Sequence, residues 1–310
     1  MKLKVVGTLA YDSVKSDFGS KINQLGGSAV YFAISSSYWC DEVKVTGSIG
    51  TDFKSKDLDL ISSMGIDLSG VVNSDLKTFR WEGEYKPDSP NEAITLGNSI
   101  IRGDANVLDT YKPDLFTGNE NIKEKYSLFL ANTSPENQMS LLNQIDQKPN
   151  LIALDTMDFW INNYLSSVKE LFPLIDVLVI NENEARLITG NNSLKTCIDA
   201  LFELNIKRMV IKLGNYGLIY ASHNERYFLP AILVDHVKDP TGAGDSFAGG
   251  FMGYLSTVEN FAEKDFKEAC LIGSVMASFC VEEFGVKGLM ELTKEMILDR
   301  KKYLINQITL

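Results

Sequence analysis

Residues 239–245 read Asp-Pro-Thr-Gly-Ala-Gly-Asp and lead directly into Ser-Phe-Ala-Gly-Gly-Phe-Met-Gly-Tyr-Leu at 246–255. The small residues at 242–244 let the backbone turn tightly and leave its N–H groups uncovered, and the apolar run that follows has helical spacing. We therefore predict that the turn opens a helix. Because a helix N-terminus carries free N–H donors and the positive end of the macrodipole, it is a seat for an anion such as a transferring phosphoryl group.

Asp245 has two interpretations at this helix start. A carboxylate there complements the helix dipole, which is worth about 0.3–1 kcal/mol. It also fits a general base that accepts the proton of a substrate hydroxyl, while the N–H groups of Ala243, Gly244 and Asp245 stabilise charge on the phosphoryl oxygens. The Asp-Pro lead-in, the Gly-Ala-Gly turn, the Asp and the small-residue helix together favour phosphoryl transfer.

Composition restricts the class of protein and its partners. The chain has 310 residues, of which 45% are hydrophobic, and this fits a globular protein with a large core. The net charge of −11 predicts no nucleic-acid partner and no anionic membrane partner, because both would repel the chain. The apolar run at residues 3–7 is too short for a signal peptide, and no stretch approaches the roughly 20 apolar residues of a membrane span. We predict a cytoplasmic protein.

Cysteine and histidine usage excludes several kinds of site. The cysteines at 40, 197, 270 and 280 lie far apart, form no C-x-x-C pair and fall in apolar surroundings, so we predict buried thiols. With only two histidines, the chain has little material for a His-rich metal site or a Ser-His-Asp triad.

The order of elements predicts one α/β domain. Apolar strand patterns near residues 3–7, 43–47, 68–72, 128–132, 151–155, 177–180 and 209–213 mostly alternate with helical patterns. This rhythm predicts a doubly wound, mostly parallel sheet flanked by helices, spanning residues 1–310 as a single domain. Residues 78–85 and 93–96 break the rhythm with alternating patterns around a turn at 87–90, which predicts a small antiparallel sheet outside the main one. No G-x-G-x-x-G follows the first strand, which argues against a Rossmann dehydrogenase.

Residues 239–252 resemble the C-terminal signature of the PfkB, or ribokinase-like, carbohydrate and nucleoside kinases. The order of the other elements from Val5 to about Leu289 is also similar to that family. The resemblance implies that Asp245 is the catalytic base and that Gly242, Ala243 and Gly244 form the anion hole. It also implies a β-sheet lid, formed by residues of about 11–25 and 78–101, that covers the substrate and forms a homodimer contact.

The acceptor motifs lie in the first part of the chain. Asp12 follows a strand and a glycine, where it either caps a turn or, as the resemblance implies, binds substrate hydroxyls. Gly26 and Gly27 resemble the family's N-terminal Gly-Gly motif, and Tyr31 occupies the place of an Asn that usually touches the sugar. Tyr31 either packs in the helix or faces a larger, flatter substrate such as a nucleobase.

The nucleotide motifs lie in the second half. Asn181 and Glu184 resemble a family motif that orders Mg²⁺ and its waters near the phosphates of ATP, with Glu184 acting through water; the same residues also fit an N-cap with an acidic first turn. The resemblance assigns further residues to the nucleotide side. It also implies a monovalent cation such as K⁺, which many members of the family bind. These nucleotide-side residues are Lys212, Gly214, Gly217 and Thr241. Asp155, which ends a strand with no partner visible in the sequence, is assigned a structural role.

The first functional hypothesis is an ATP-dependent kinase that phosphorylates a hydroxymethyl group of a small sugar. One alternative is a nucleoside kinase of the same family, of the adenosine or cytidine type. The other is a non-catalytic regulatory protein that binds a sugar or nucleotide and keeps the fold. An intact Asp245 beside an intact Gly-Ala-Gly turn argues against this last alternative, because a binding protein has no need of a base.

Overall fold

The computed structural model describes residues 2–86, 89–115 and 125–308, with the side chains of 89–92 excepted. Part of the turn predicted at 87–90 therefore lies outside the described residues. The strands in chain order are β1 (Lys2–Val6), β2 (Ala10–Ser16), β3 (Gly19–Gly26), β4 (Val43–Ile49), β5 (Asp67–Asn73), β6 (Arg80–Lys86), β7 (Ser89–Asn98), β8 (Tyr126–Leu130), β9 (Ile152–Leu154), β10 (Val177–Asn181), β11 (Arg208–Lys212), β12 (Leu218–Ser222) and β13 (Arg226–Leu229). The helices are α1 (Ser28–Ser37), α2 (Ser55–Ser63), α3 (Ser99–Arg102), α4 (Pro135–Leu142), α5 (Asp158–Leu171), α6 (Glu182–Thr189), α7 (Leu194–Glu203), α8 (Ala243–Leu255), α9 (Glu263–Cys280), α10 (Lys287–Met290) and α11 (Lys294–Ile308).

The main sheet is mostly parallel, as the sequence predicts. Within the described residues its nine strands follow the order β13-β12-β11-β10-β9-β8-β1-β4-β5. Only the β11–β12 and β12–β13 pairs of that sheet are antiparallel. Its apolar strands pack into two clusters of buried residues, one that includes residues of α1, α8 and α9 and one that includes residues of α4, α5, α6 and α7. Helices thus flank a doubly wound sheet, and the carboxyl ends of the parallel strands are free to hold polar groups.

A second, smaller sheet is formed by β3, β2, β6 and β7 in that order within the described residues, and we call it the small sheet. Its strands cover residues 10–26 and 80–98, close to the ranges predicted for the lid. The prediction that this sheet is antiparallel is wrong for one pair, because β2 and β6 are parallel. Between these two strands the chain passes through β3, α1, β4, α2 and β5, and such a long connection lets β6 enter in the same direction as β2. Asp12 lies within β2 and not in a loop.

Helix α8 approaches its neighbours closely. A Cβ atom added at Gly249 would lie 2.3 Å from the carbonyl oxygen of Phe32, and one added at Gly253 would lie 3.0 Å from Cα of Ser36. Both contacts are with α1, so the two helices meet backbone to backbone and α8 is fixed against the core.

Two sequence expectations concern the chain as a whole. The four cysteines are buried, which confirms the prediction of buried thiols. Among the described residues, no helix has the length and apolar character that crossing a bilayer requires.

Candidate active site

A cleft of about 500 Å³ lies between the carboxyl ends of the main-sheet strands and the small sheet. Its lining includes the start of α8, the ends of β8, β9 and β11, the start of α5, and side chains of the small sheet. The polar groups of three distant chain segments therefore meet in one place. Asp12, Asp155 and Asp245 all line this cleft.

The turn at residues 239–245, which we call the Gly-Ala-Gly turn, opens α8 as predicted. Gly242 is its N-cap with φ of 75°, a left-handed conformation that favours glycine. The N–H of Ala243 donates to the carbonyl of Pro240 at 3.1 Å, so it is engaged within the turn and is not free for an anion. The N–H groups of Gly244 and Asp245 have no acceptor among the described residues. The predicted set of three N–H donors is thereby corrected to two.

Asp239 stabilises the Gly-Ala-Gly turn by accepting two backbone hydrogen bonds. Its carboxylate accepts the N–H of Thr241 at 2.9 Å and the N–H of Gly285 at 3.0 Å, and its side chain is buried. The same carboxylate thus joins the Gly-Ala-Gly turn to the segment after α9.

The electrostatic surroundings of Asp245 suit a base. Burial and then the negative charge of Asp155 raise the pKa of Asp245 to about 7, against the opposing charge of Lys212. A carboxyl group with this pKa accepts a proton near neutral pH more readily than an exposed aspartate does. A strongly raised pKa in a cleft is a mark of a functional site.

Lys212 and Asp155 form a buried ion pair at the ends of β11 and β9. The Lys212 Nζ lies 3.3 Å from the Asp155 Oδ2. Burial lowers the pKa of Lys212, but the charges of Asp155, Glu184 and Asp245 raise it to above its usual value. The structure supplies for Asp155 the partner that the sequence did not show. Lys212 lines the cleft, as a residue that neutralises phosphate charge would.

Asn181 and Glu184 make a reciprocal cap at the start of α6. The Asn181 N–H donates to the Glu184 carboxylate at 2.7 Å, and the Glu184 N–H donates to the Asn181 side chain at 2.8 Å. The N-cap interpretation of these residues is therefore confirmed. Burial and then the charge of Asp155 raise the pKa of Glu184 to about 8.

The same region has more carboxylates than cations. Asp155, Glu184 and Asp245 interact electrostatically with one ammonium group, that of Lys212, and this imbalance fits a divalent cation. No group of three or more His, Cys, Asp or Glu side chains in the described part of the chain is arranged to hold a metal directly. Mg²⁺ usually keeps several of its waters and takes few direct protein ligands.

Asp12 is held at the acceptor end by the Gly-Gly motif. Its Oδ2 accepts the N–H of Gly27 at 3.3 Å, and burial raises the pKa of Asp12 to about 7, opposed by that hydrogen bond and reinforced by the charge of Asp239. A Cβ added at Gly26 would lie 2.0 Å from the same carboxylate oxygen, so Gly26 makes room for Asp12. Gly27 itself lines the cleft.

Tyr31 lies between the two ends of the site. Its ring packs against Gly242, where an added Cβ would lie 2.4 Å from ring carbons, and its hydroxyl has no partner among the described residues. Burial and then the charge of Asp12 raise the pKa of Tyr31 well above its usual value. The packing interpretation of Tyr31 is confirmed by its contact with the Gly-Ala-Gly turn, and Tyr31 also lines the cleft, while its contact with a nucleobase stays a prediction.

The small sheet contacts residues 238–241, which include the predicted nucleotide-side residue Thr241. The hydroxyl groups of Tyr85 and Thr241 lie 3.3 Å apart, and the Ser16 hydroxyl donates to the Lys238 carbonyl at 2.6 Å. These contacts join both halves of the small sheet to residues 238–241.

Sequence reasoning indicated Trp81 as a possible substrate contact but missed the rest of an aromatic part of the cleft, which we call the aromatic wall. It consists of Phe79 and Trp81 beside or within the small sheet and Phe159, Trp160 and Tyr164 on α5. The Trp160 ring nitrogen donates to the Asn132 side chain at 2.9 Å, and the Phe159 and Trp160 rings meet edge to face. The sequence does contain one signal for this wall: Phe159 and Trp160 follow Asp155 by only a few residues, just beyond the carboxyl end of a predicted strand.

Several predicted nucleotide-side residues do not line this cleft. Asn181, Glu184, Gly214 and Gly217 lie outside its lining, and so does Gly26 at the acceptor end. The backbone around 214–217 forms a tight turn, closed by a hydrogen bond from the Leu213 N–H to the Gly217 carbonyl at 2.7 Å.

A family model described as "pfkB family carbohydrate kinase" matches residues 9–292 of the chain. The chain belongs to the PfkB family. The match runs from just before Asp12 to just beyond α10, and so includes every site residue predicted above. The PfkB resemblance of the sequence and the doubly wound fold with its separate small sheet are thereby confirmed.

Relatives within the PfkB family differ in their named acceptors. A cytidine kinase of Thermococcus kodakarensis is 28% identical over 258 residues, covering 81% of this chain and 87% of that protein. A ribokinase of Lactococcus lactis is 26% identical and covers 98% of this chain and 99% of its own. The fold is similar to that of aminoimidazole riboside kinase from Salmonella enterica, with a TM-score of 0.78, 17% identity, and coverage of 97% of this chain and 100% of that one. The chain is thus a sugar or nucleoside kinase of the PfkB family.

Proposed function

We propose that the chain transfers the γ-phosphoryl group of ATP to a hydroxymethyl group of a nucleoside or small sugar, with Asp245 as general base. The observation that carries this proposal is the start of α8. There, a carboxylate with a pKa of about 7 adjoins two N–H groups that have no acceptor in the described part of the chain. An uncommitted base beside uncommitted anion donors is the arrangement that phosphoryl transfer requires.

The proposed roles follow from position. Asp12 accepts a hydrogen bond from the acceptor and, with Gly27 and Tyr31, holds it in the cleft, while Gly26 leaves room for the Asp12 carboxylate. The proton of the acceptor's hydroxymethyl group passes to Asp245 while the oxygen of that hydroxymethyl group bonds to the γ-phosphorus. At the same time the bond between the γ-phosphorus and the bridging oxygen of the β-phosphate breaks, and ADP leaves. The N–H groups of Gly244 and Asp245 then stabilise the phosphoryl oxygens, with Gly242 and Ala243 shaping the turn.

On the nucleotide side, we assign ATP to the region of Asn181, Lys212, Gly214, Gly217 and Thr241. Mg²⁺, held through water by Glu184, would neutralise phosphate charge when bound. A monovalent cation such as K⁺ is an expectation from the family alone. The small sheet acts as a lid that excludes water from the cleft, and its contact between Tyr85 and Thr241 supports this role.

The aromatic wall favours a nucleoside as the acceptor over a free sugar. A free sugar needs mainly hydrogen-bonding groups, whereas a nucleobase presents flat faces that pack on aromatic rings. The cytidine kinase relative supports the same choice, and the ribokinase relative keeps a small sugar as the second candidate.

A homodimer through the small sheet and a cytoplasmic location belong to the same proposal. The small sheet exposes apolar side chains, among them Ile22 at 70% and Leu96 at 51% exposure, which a second copy would cover. Sedimentation of the purified protein tests this contact: the wild type should be a dimer and Ile22→Lys a monomer, and a variant that remains as dimeric as the wild type would argue against it.

The function is tested by ADP release from Mg·ATP across a panel of sugars and ribonucleosides. We expect a ribonucleoside to stimulate ADP release strongly, and Asp245→Asn to abolish the stimulation. Acceptors that bind and protect the protein against heating without any ADP release would instead favour the non-catalytic regulatory protein.

A further inference from the structure

We propose that Asp155 is a positioning residue, which holds the ammonium group of Lys212 beside Gly244 and away from Asp245. This inference rests on the proposed phosphoryl transfer and concerns the arrangement of charge around it. The relevant side chains come from the ends of β9 and β11 and the start of α8.

The ammonium group lies at the anion-binding end of the turn. A Cβ atom added at Gly244 would lie 2.9 Å from the Lys212 Nζ, so the glycine leaves the space that the ammonium group uses. The N–H of Gly244 is one of the two without an acceptor in the described chain. A positive charge and a free N–H donor thus lie together where a phosphoryl group would bind.

Asp155 is itself held firmly. Its Oδ1 accepts the N–H of Thr156 at 2.8 Å, which leaves Oδ2 for Lys212. The fully buried Gln138 donates to the carbonyl of Asp155 at 3.0 Å and to that of Ala131 at 3.1 Å, tying the ends of β8 and β9 together. The carboxylate that holds Lys212 is therefore fixed from two sides.

Lys212 has a choice of carboxylates. Asp155, Glu184 and Asp245 all attract it, and within the described ion pairs it pairs with Asp155 and not with Asp245. An ion pair with Asp245 would favour the ionised form of that carboxylate and so weaken it as a base. By occupying Lys212, Asp155 keeps Asp245 available for the acceptor proton.

A double-mutant cycle of Asp155→Asn and Lys212→Met tests this inference. We expect Asp155→Asn to lower kcat about tenfold or more with little change in acceptor KM, because the charge beside the transferring group is misplaced. In the Lys212→Met background the same change should have a smaller effect, because the residue it positions is gone and only the direct influence of the Asp155 charge on the pKa of Asp245 is lost. Equal losses in both backgrounds, or an unchanged kcat in Asp155→Asn, would overturn the inference.

Two controls separate positioning from folding. Asp199→Asn removes an exposed carboxylate that pairs with Lys195 and Arg226 far from the cleft, and it should leave kcat unchanged. Gly244→Ala places a methyl group against the ammonium group without touching Asp155. Gly244→Ala should lower kcat in the wild-type background and have a smaller effect in the Lys212→Met background. If Asp155→Asn does not fold, this comparison tests instead whether turnover depends on the position of the Lys212 ammonium group.

Calorimetric binding of ATP distinguishes failure of this inference from failure of the proposed function. If the wild type binds ATP but phosphorylates no acceptor, the proposed function fails while the binding cycle still reports on Asp155. A loss of ATP affinity in Asp155→Asn that disappears in the Lys212→Met background supports positioning. The same loss in both backgrounds refutes it.

Discussion

The Gly-Ala-Gly turn forms its part of the cleft from residues 239–245, a single stretch of chain, whereas the aromatic wall draws on residues near 79–81 and on α5 near 159–164. The turn presents mainly backbone N–H groups and one carboxylate to the cleft. The wall presents side chains of segments almost 80 residues apart. A group of residues that is contiguous in the chain can be recognised in the sequence, whereas a group assembled from distant segments is much harder to recognise.

The largest effect is expected from Asp245→Asn, which changes the Gly-Ala-Gly turn and leaves the aromatic wall intact. Asp245→Asn keeps the shape of the side chain and removes the proton acceptor, so kcat should fall roughly 10²- to 10⁴-fold while ATP and acceptor still bind. Steady-state kinetics together with equilibrium binding measure this. A variant that turns over at near the wild-type rate would exclude Asp245 as the base.

The pH dependence of the turn comes next. With a pKa of about 7, Asp245 is the base only when ionised, so kcat should rise with pH through about 7 and level off above it. Between pH 7 and pH 5, kcat should fall about 50-fold if the ionisation of Asp245 alone controls this part of the profile. A profile flat down to pH 5 would contradict this assignment.

Asp12→Asn tests a third part of the cleft, the carboxylate on β2 that accepts the Gly27 N–H. Loss of a hydrogen bond to a charged group is worth about 1.5–3 kcal/mol, so acceptor KM should rise roughly 10- to 100-fold. The KM for ATP should stay the same, because Asp12 lies at the acceptor end. An equal rise in both constants would point to a general distortion of the cleft.

The smallest expected effect concerns the wall. Trp160→Leu removes an aromatic face and keeps an apolar side chain, and a ring contact is worth about 0.5–1.5 kcal/mol beyond its area. Nucleoside KM should rise about two- to tenfold, with ribose phosphorylation unchanged. Equal effects on both acceptors would show that Trp160 supports the fold through its hydrogen bond to Asn132 and not the substrate.

Sequence reasoning succeeded where a feature depends on local spacing. The start of α8 after Gly242, the reciprocal cap of Asn181 and Glu184, and the strands of the small sheet within 78–101 were accessible from nearby residues, whereas the part within 11–25 came from the family resemblance. The engagement of the Ala243 N–H was missed, although it too is local, because the sequence shows a turn without showing which of its donors the turn itself consumes.

The remaining features depend on long-range pairing. Asp155 and Lys212 are 57 positions apart and meet only because β9, β10 and β11 are neighbours in one sheet. The parallel pairing of β2 with β6 likewise follows from the path of the chain between them. Periodicity specifies which residues face a core, but not which two strand ends lie side by side.

The close backbone contact between α8 and α1 has a consequence for how this protein diverges. An added methyl group at Gly249 would collide with a main-chain carbonyl, so the helix that carries Asp245 tolerates little change. The exposed Tyr164 on α5, by contrast, projects from a helix whose backbone is already irregular at that residue. Laboratory evolution of acceptor preference should therefore accumulate substitutions along α5 and in the small sheet. The sequence of α8 should stay unchanged even when the preferred acceptor changes.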